Sequence, residues 1–227
     1  VWAMLAATEA TPIVMVVGAD PVANGFVASM ARPGGRVTGL AFQTYEGDVK
    51  RLQLLREAMP NSRWFGYLRP PGSIPARATE LLAKAARHLD VELTIRAVSG
   101  LEPAAYEAAF ASMRDEGVAG VLIASTQVLA NDVRSFSPIA QALRMPIICE
   151  WDYMATNGCT LAYGHDLDYA HRRVGEYAAR ILKGAAPADL PVEQSDAWQF
   201  TVNLRAAASV GLTVPWTLLV RADEVIE

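Results

Sequence analysis

The chain has 227 residues, 52% hydrophobic and 19% charged, which is too apolar and too weakly charged for a disordered polymer. A formal net charge of -4 and a sequence pI near 5.5 argue against a basic face that would track nucleic acid or an anionic membrane. At this size a compact fold buries roughly 70% of its unfolded surface, so a core forms without metal or disulfide staples, as one large domain or two small ones.

The opening Val1-Trp2-Ala3-Met4-Leu5-Ala6-Ala7 reads as the tail of an amphipathic helix. It lacks the basic start and small-residue cleavage site of a secretory signal, and the chain reads as beginning inside a longer protein. No apolar run reaches the roughly 20 residues of a membrane helix, so direct membrane insertion of this segment is not expected. From there short β-branched runs alternate with Ala-rich stretches at helical spacing, the pattern of βαβ units around a mostly parallel sheet. Residues 12–17 read as a buried strand, and Asp20-Pro21 supplies a cap and first-turn proline for a helix to about Met30. After Arg32-Pro33-Gly34-Gly35, residues 37–42 are a strand and 47–59 a helix with Val49, Leu52, Leu55 and Met59 on one face.

Three regular βα units follow. Strand 64–68 precedes a helix opened by Ser73 and Pro75, strand 91–98 precedes a helix 103–116, and strand 118–124 precedes a helix capped by Ser125-Thr126. That last helix is expected to break near Ser137-Pro138. Residues 146–150 are a strand, Asn157-Gly158 a turn and 160–163 a short strand. Asp166 caps a long helix that ends at Lys183-Gly184. A two-proline connector, a strand 199–202, a helix 204–210 and a terminal segment complete the chain. Cys149 and Cys159 are not spaced as a zinc site; two free thiols are expected, with a bridge between them as the alternative.

In an open parallel sheet the helix N-termini gather at the strand C-terminal edge, where ligands bind. The loops of interest are therefore those carrying Asp20, Gln43-Thr44, Ser73, Ser125-Thr126 and Glu150-Trp151. Exposed amides there hold a carboxylate or phosphate, and Asp20 or Glu150 can hold an ammonium. The plainer reading makes Asp20, Ser73, Ser125 and Asp166 ordinary helix caps. Trp151 and Tyr163 can stack a planar ligand or pack in the core. No Gly-x-Gly-x-x-Gly, Walker loop, Gly-x-Ser-x-Gly or His-Glu-x-x-His occurs, so no catalytic residue, cofactor or metal site is expected. His165, the one histidine in a loop, reads as non-catalytic, Asp166 and Asp168 as helix-start charges, and Arg172-Arg173 as a solvated face.

Several stretches, in order, resemble the substrate-binding proteins of ABC transporters related to tryptophan and tyrosine binders. They are Thr11-Pro12-Ile13-Val14 with Asp20-Pro21-Val22, Ala31-Arg32-Pro33-Gly34-Gly35-Arg36-Val37-Thr38-Gly39-Leu40, Lys50-Arg51-Leu52-Gln53-Leu54-Leu55, Tyr163-Gly164, Ile181-Leu182-Lys183-Gly184-Ala185, Asp189-Leu190-Pro191-Val192-Glu193-Gln194, Asn203-Leu204 and Ala222-Asp223-Glu224-Val225-Ile226. Arg36 and Asn157-Gly158-Cys159 depart from the family pattern. The resemblance implies an α/β type I periplasmic binding protein-like fold of two Rossmann-like lobes, residues 1–43 with 159–190 and residues 44–158 with 191–227, the first lobe N-terminally incomplete. A ligand held between the lobes would face Asp20, Gln43, Thr44, Ser73, Ser125, Thr126, Glu150, Trp151 and Tyr163. The implied role is a periplasmic or other extracytoplasmic receptor that delivers an amino acid or an aromatic or carboxylated solute to a membrane permease. Alternatives are a ligand-sensing domain of a signalling protein with this fold, and a small α/β transferase.

Overall fold

The structure is a computed structural model and describes residues 1–42, 44–72 and 76–227; the expected site residues Gln43 and Ser73 lie outside the described residues. The chain divides into two compact units, Val1–Thr44 with His165–Ala197 and Tyr45–Gly164 with Trp198–Glu227.

In the first unit, helix α1 (Trp2–Ala7) leads to β1 (Ile13–Val17) and β2 (Val37–Ala41). These strands pair in parallel from Ile13↔Val37 to Val17↔Ala41. Their alternate residues feed two small cores. One holds Ile13, Met15, Val27, Val37, Ala41 and Val192. The other holds Leu40 against Ala170, Tyr177 and Leu190. Residues 21–30, expected as a helix, form only turns. Pro21 carbonyl accepts from Phe26 and Val27, and Gly25 takes a φ of 67° that a continuing helix forbids.

The second unit begins with α2 (Thr44–Ala58), whose first residue still belongs to the first unit, then β3 (Trp64–Arg69), α3 (Ala76–His88), β4 (Glu92–Ala97), α4 (Pro103–Asp115) and β5 (Gly120–Ile123). It continues through α5 (Gln127–Asn131), α6 (Val133–Ala142), β6 (Ile147–Cys149), α7 (Asp152–Thr156) and β7 (Leu161–His165). Helix α8 (Leu167–Leu182), a 3-10 turn Pro187–Asp189 and β8 (Glu193–Gln194), which pairs with β2, return the chain to the first unit. Then β9 (Trp198–Asn203), α9 (Leu204–Ser209), α10 (Trp216–Leu219) and β10 (Glu224–Ile226) rejoin the second.

The large sheet has the order β10-β9-β7-β6-β5-β3-β4. The pairs from β4 through β7 are parallel. Asn203 N–H donates to Thr160 O and Asp166 N–H to Ala197 O, so β9 runs antiparallel to β7. Strands β3, β5 and β6 are almost wholly buried, as expected of runs covered on both faces.

Two further expectations need correction. The helix after β5 breaks at Asp132, whose carboxylate accepts from Tyr106 Oη at 2.6 Å, and Pro138 sits inside α6, where it removes a single backbone hydrogen bond. The cysteines are not free thiols. The short α7 excursion brings Cys159 back beside Cys149, the Cα atoms 6.2 Å apart, and they form a disulfide.

Candidate functional site

Strand order reverses at β3: β4 lies on one side of it, and β5, β6 and β7 on the other. Helices leave such a point on opposite faces and open a crevice beyond the strand C-termini, the usual ligand position in open α/β sheets. Ser125-Thr126 after β5, Glu150-Trp151 after β6 and Tyr163-Gly164 at the end of β7 lie along this edge. Because β9 runs the other way, its first residue, Trp198, lies there too.

The first two turns of α2 add a buried charged network to the edge. Arg51 is 0% exposed and Asp48 1%. Arg51 Nη2 donates to Asp48 Oδ1 at 2.5 Å and to Ser125 Oγ, and Nη1 donates to the Tyr163 carbonyl at 2.6 Å. The Ser125 hydroxyl donates to Asp48 Oδ1 at 3.1 Å, and Tyr67 Oη donates to Asp48 Oδ2 at 3.0 Å. Burial, with the Asp48 charge, raises the Tyr67 phenol well above its ordinary value, so it stays a neutral donor. Glu150, 7% exposed, adds a second carboxyl. Burial pushes it up to about 7; the Asp48 charge adds to the rise, while Arg51 and a hydrogen bond with Ser125 oppose it.

An aromatic group stands beside the network. Tyr163 and Trp198 stack with centroids 5.1 Å apart and planes 8° from parallel, and Phe200 meets Tyr163 edge-on at 6.4 Å. Gly47 lies at the close approach of α2: a Cβ there would sit 3.3 Å from both the Trp198 ring and Arg51 Nη1, a tight contact that those side chains would have to yield to. Gly164 is required, because a Cβ would overlap the Glu150 carbonyl oxygen. This edge therefore joins hydrogen-bonding groups to a planar apolar wall, the composition of a small-molecule site.

Of the residues expected to face a ligand, Ser125, Glu150 and Tyr163 meet around Arg51. Trp151 is half-buried at the N-cap of α7 and packs against the main core. Thr126 is the N-cap of α5, its Oγ1 accepting from Leu129 N–H at 3.3 Å. In the first unit Asp20 is a local cap, Oδ1 accepting from Val22 and Ala23 N–H at 2.9 and 3.0 Å. Thr44 Oγ1 closes over Gly18, where a Cβ would collide with it. His165 is buried and stacks on Phe42 at 4.4 Å. Asp166 caps α8 by accepting from Tyr169 N–H at 2.8 Å. Arg173 is not simply solvated: it pairs with Glu176 and Glu193.

Sequence reading missed Arg51, Asp48, Tyr67, Trp198 and Gly47. The i, i+3 spacing of Asp48 and Arg51 is a usable signal for an ion pair, but only the buried Leu52, Leu54 and Leu55 around it show that the pair faces inward.

The architecture, a pair of α/β units with parallel-dominated sheets, is that of the type I periplasmic binding proteins. The model of the ABC transporter substrate binding protein family matches residues 2–226, and the chain belongs to that family. It is 25% identical over 223 residues to the Tyrosine-binding protein of Clostridioides difficile (strain R20291), covering 96% of this chain and 63% of that protein. The chain thus spans less than two thirds of that relative's length. A conserved domain protein from Vibrio cholerae superposes with a TM-score of 0.83 at 25% identity, over 98% of this chain and 74% of that one. An ABC domain in complex with L-Trp from Streptococcus pneumonia has a TM-score of 0.82 at 22% identity, over 98% and 76%. Among the described residues no helix is long and apolar enough to cross a membrane.

Proposed function

We propose that the protein is the extracytoplasmic solute-binding component of an ABC importer, taking an amino acid or a related aromatic or carboxylated solute and passing it unchanged to a membrane permease. One observation carries the reading: the Asp48–Arg51–Ser125–Glu150 network and the stacked Tyr163–Trp198 pair occupy the sheet edge where strand order reverses. Such a site holds polar ligand groups by hydrogen bonds and a planar side chain by stacking, without a group placed for bond making. The family membership and the names of the relatives, a tyrosine binder and an L-Trp complex, point to the same solute class. Ser125, Thr126, Glu150, Trp151 and Tyr163 are the proposed contacts in the second unit, and Asp20, Gln43, Thr44 and Ser73 complete the proposed set.

A thermal-unfolding screen against amino acids, aromatic acids, sugars and nucleotides tests this. A ligand at 100 times its dissociation constant adds about 2.7 kcal/mol to stability. Stabilisation by aromatic amino acids, lost in Trp198→Ala, is expected. Stabilisation by sugars or nucleotides alone, or recovery of a chemically altered ligand, overturns the reading.

A further inference from the structure

The second unit buries two carboxylates and one cation. Among its described residues Asp48, Arg51 and Glu150 are the buried charged side chains. Both Nη atoms of Arg51 are committed, to Asp48, Ser125 and the Tyr163 carbonyl, and the second Asp48 oxygen is taken by Tyr67. The Asp48–Arg51 pair is thus neutral, with both Nη atoms engaged and the buried Arg51 Nε without a hydrogen-bond partner. Glu150 is left over, at the end of β6, with the Ser125 hydroxyl as its hydrogen-bonding neighbour. The groups acting on it are Asp48 and Arg51 from α2 and Ser125 after β5, with Tyr153 of α7 within electrostatic range and the backbone of Gly164 of β7 packed against its side chain. Of these groups Arg51 is the one cation, and it is already paired with Asp48, so its charge is shared and Glu150 has no cation to itself. A buried carboxyl in that position favours its neutral form unless a further positive charge is brought to it.

We propose that Glu150 is the counter-ion for a positively charged amine on the bound solute, and that the amine replaces a proton that Glu150 carries in the empty site. The inference rests on the solute-binding reading and narrows it: the solute is an amine beside an apolar planar group, and its capture releases a proton. Glu150–COOH becomes Glu150–COO⁻ paired with the ammonium, and the proton leaves to solvent. The raised pKa of the free carboxyl agrees with this order of events.

Binding of L-tyrosine and L-tryptophan, and of 3-(4-hydroxyphenyl)propanoate, which lacks the amine, is measured by titration calorimetry between pH 5.5 and 8. The amino acids are expected to bind roughly 30-fold more weakly at pH 5.5 than at pH 8, since each pH unit below the carboxyl's pKa costs about tenfold when binding requires the ionised form. The same titrations in buffers of different ionisation enthalpy should show release of up to one proton at pH 6, a readout that needs no variant. Glu150→Gln, checked for folding by its unfolding transition, should bind weakly with a flat profile. Flat binding in the parent protein, or equal affinity for the amine-free acid at pH 8, overturns the inference alone. Failure of all three probes to bind at any pH overturns the solute-binding reading and the inference with it.

Discussion

The two sheet edges of this chain are built from similar loops and differ in how their polar groups are satisfied. In the first unit Asp20 takes the amides of residues two and three positions ahead, and Asp166 does the same for Tyr169; both are local caps beside solvent. In the second unit Arg51 joins groups up to 112 residues away, and nothing in the Asp48–Arg51 pair reaches water. A local cap contributes to one turn of chain. A buried network ties a helix to three strand ends, and removing one member leaves the others desolvated.

The largest test of this contrast is Arg51→Ala, which leaves Asp48 and Glu150 buried without their nearby cation. It should cost about 3–5 kcal/mol in urea unfolding, and Arg51→Lys should recover only part, because an ammonium cannot reproduce the fork of donors to Asp48, Ser125 and the Tyr163 carbonyl. A loss under 1 kcal/mol for the alanine variant would erase the distinction between the edges.

The next effect concerns pH. Glu150 sits at about 7 in the folded protein against an ordinary 4.5, so between these values the folded state holds more protons than the unfolded. Its contribution to stability is complete below about pH 4.5 and is lost as pH rises through about 7, a decline on the order of 3 kcal/mol. Unfolding midpoints measured across that window should fall more steeply in the parent protein than in Glu150→Gln; parallel profiles would show that Glu150 is not held in a desolvated site.

The smallest effect belongs to the first unit. Asp20→Ala removes one capping interaction in an exposed turn and should cost about 1 kcal/mol, while Asp20→Asn should cost little, since the amide oxygen also accepts. A loss comparable to that of Arg51→Ala would mean that Asp20 is more than a cap.

The strands and helices of the second unit were legible because their apolar periods are clean. Pro103 opens α4, Asp166 opens α8, and the β-branched runs at β3, β5 and β6 fall within a residue or two of their expected limits at most ends. Residues 21–30 misled, because a cap and a first-turn proline start a helix but do not sustain one when Gly25 follows four positions later. The disulfide was not legible either, since ten residues of spacing say nothing of whether the intervening chain returns to the same place. At the site, Ser125, Glu150 and Tyr163 could be named from their position after strands, whereas nothing local in Lys50-Arg51-Leu52 shows that Arg51 is buried against three strand ends.

What the sequence determined by itself was the alternation of strand and helix, and hence which loops share the ligand-binding edge, because periodicity and capping act over a few residues. Only the tertiary structure decided which polar side chains in those loops remain caps and which become a buried network. That choice depends on desolvation by segments far away in sequence: on α2 packing close beside Trp198 at Gly47, and on β7 presenting a carbonyl to Arg51.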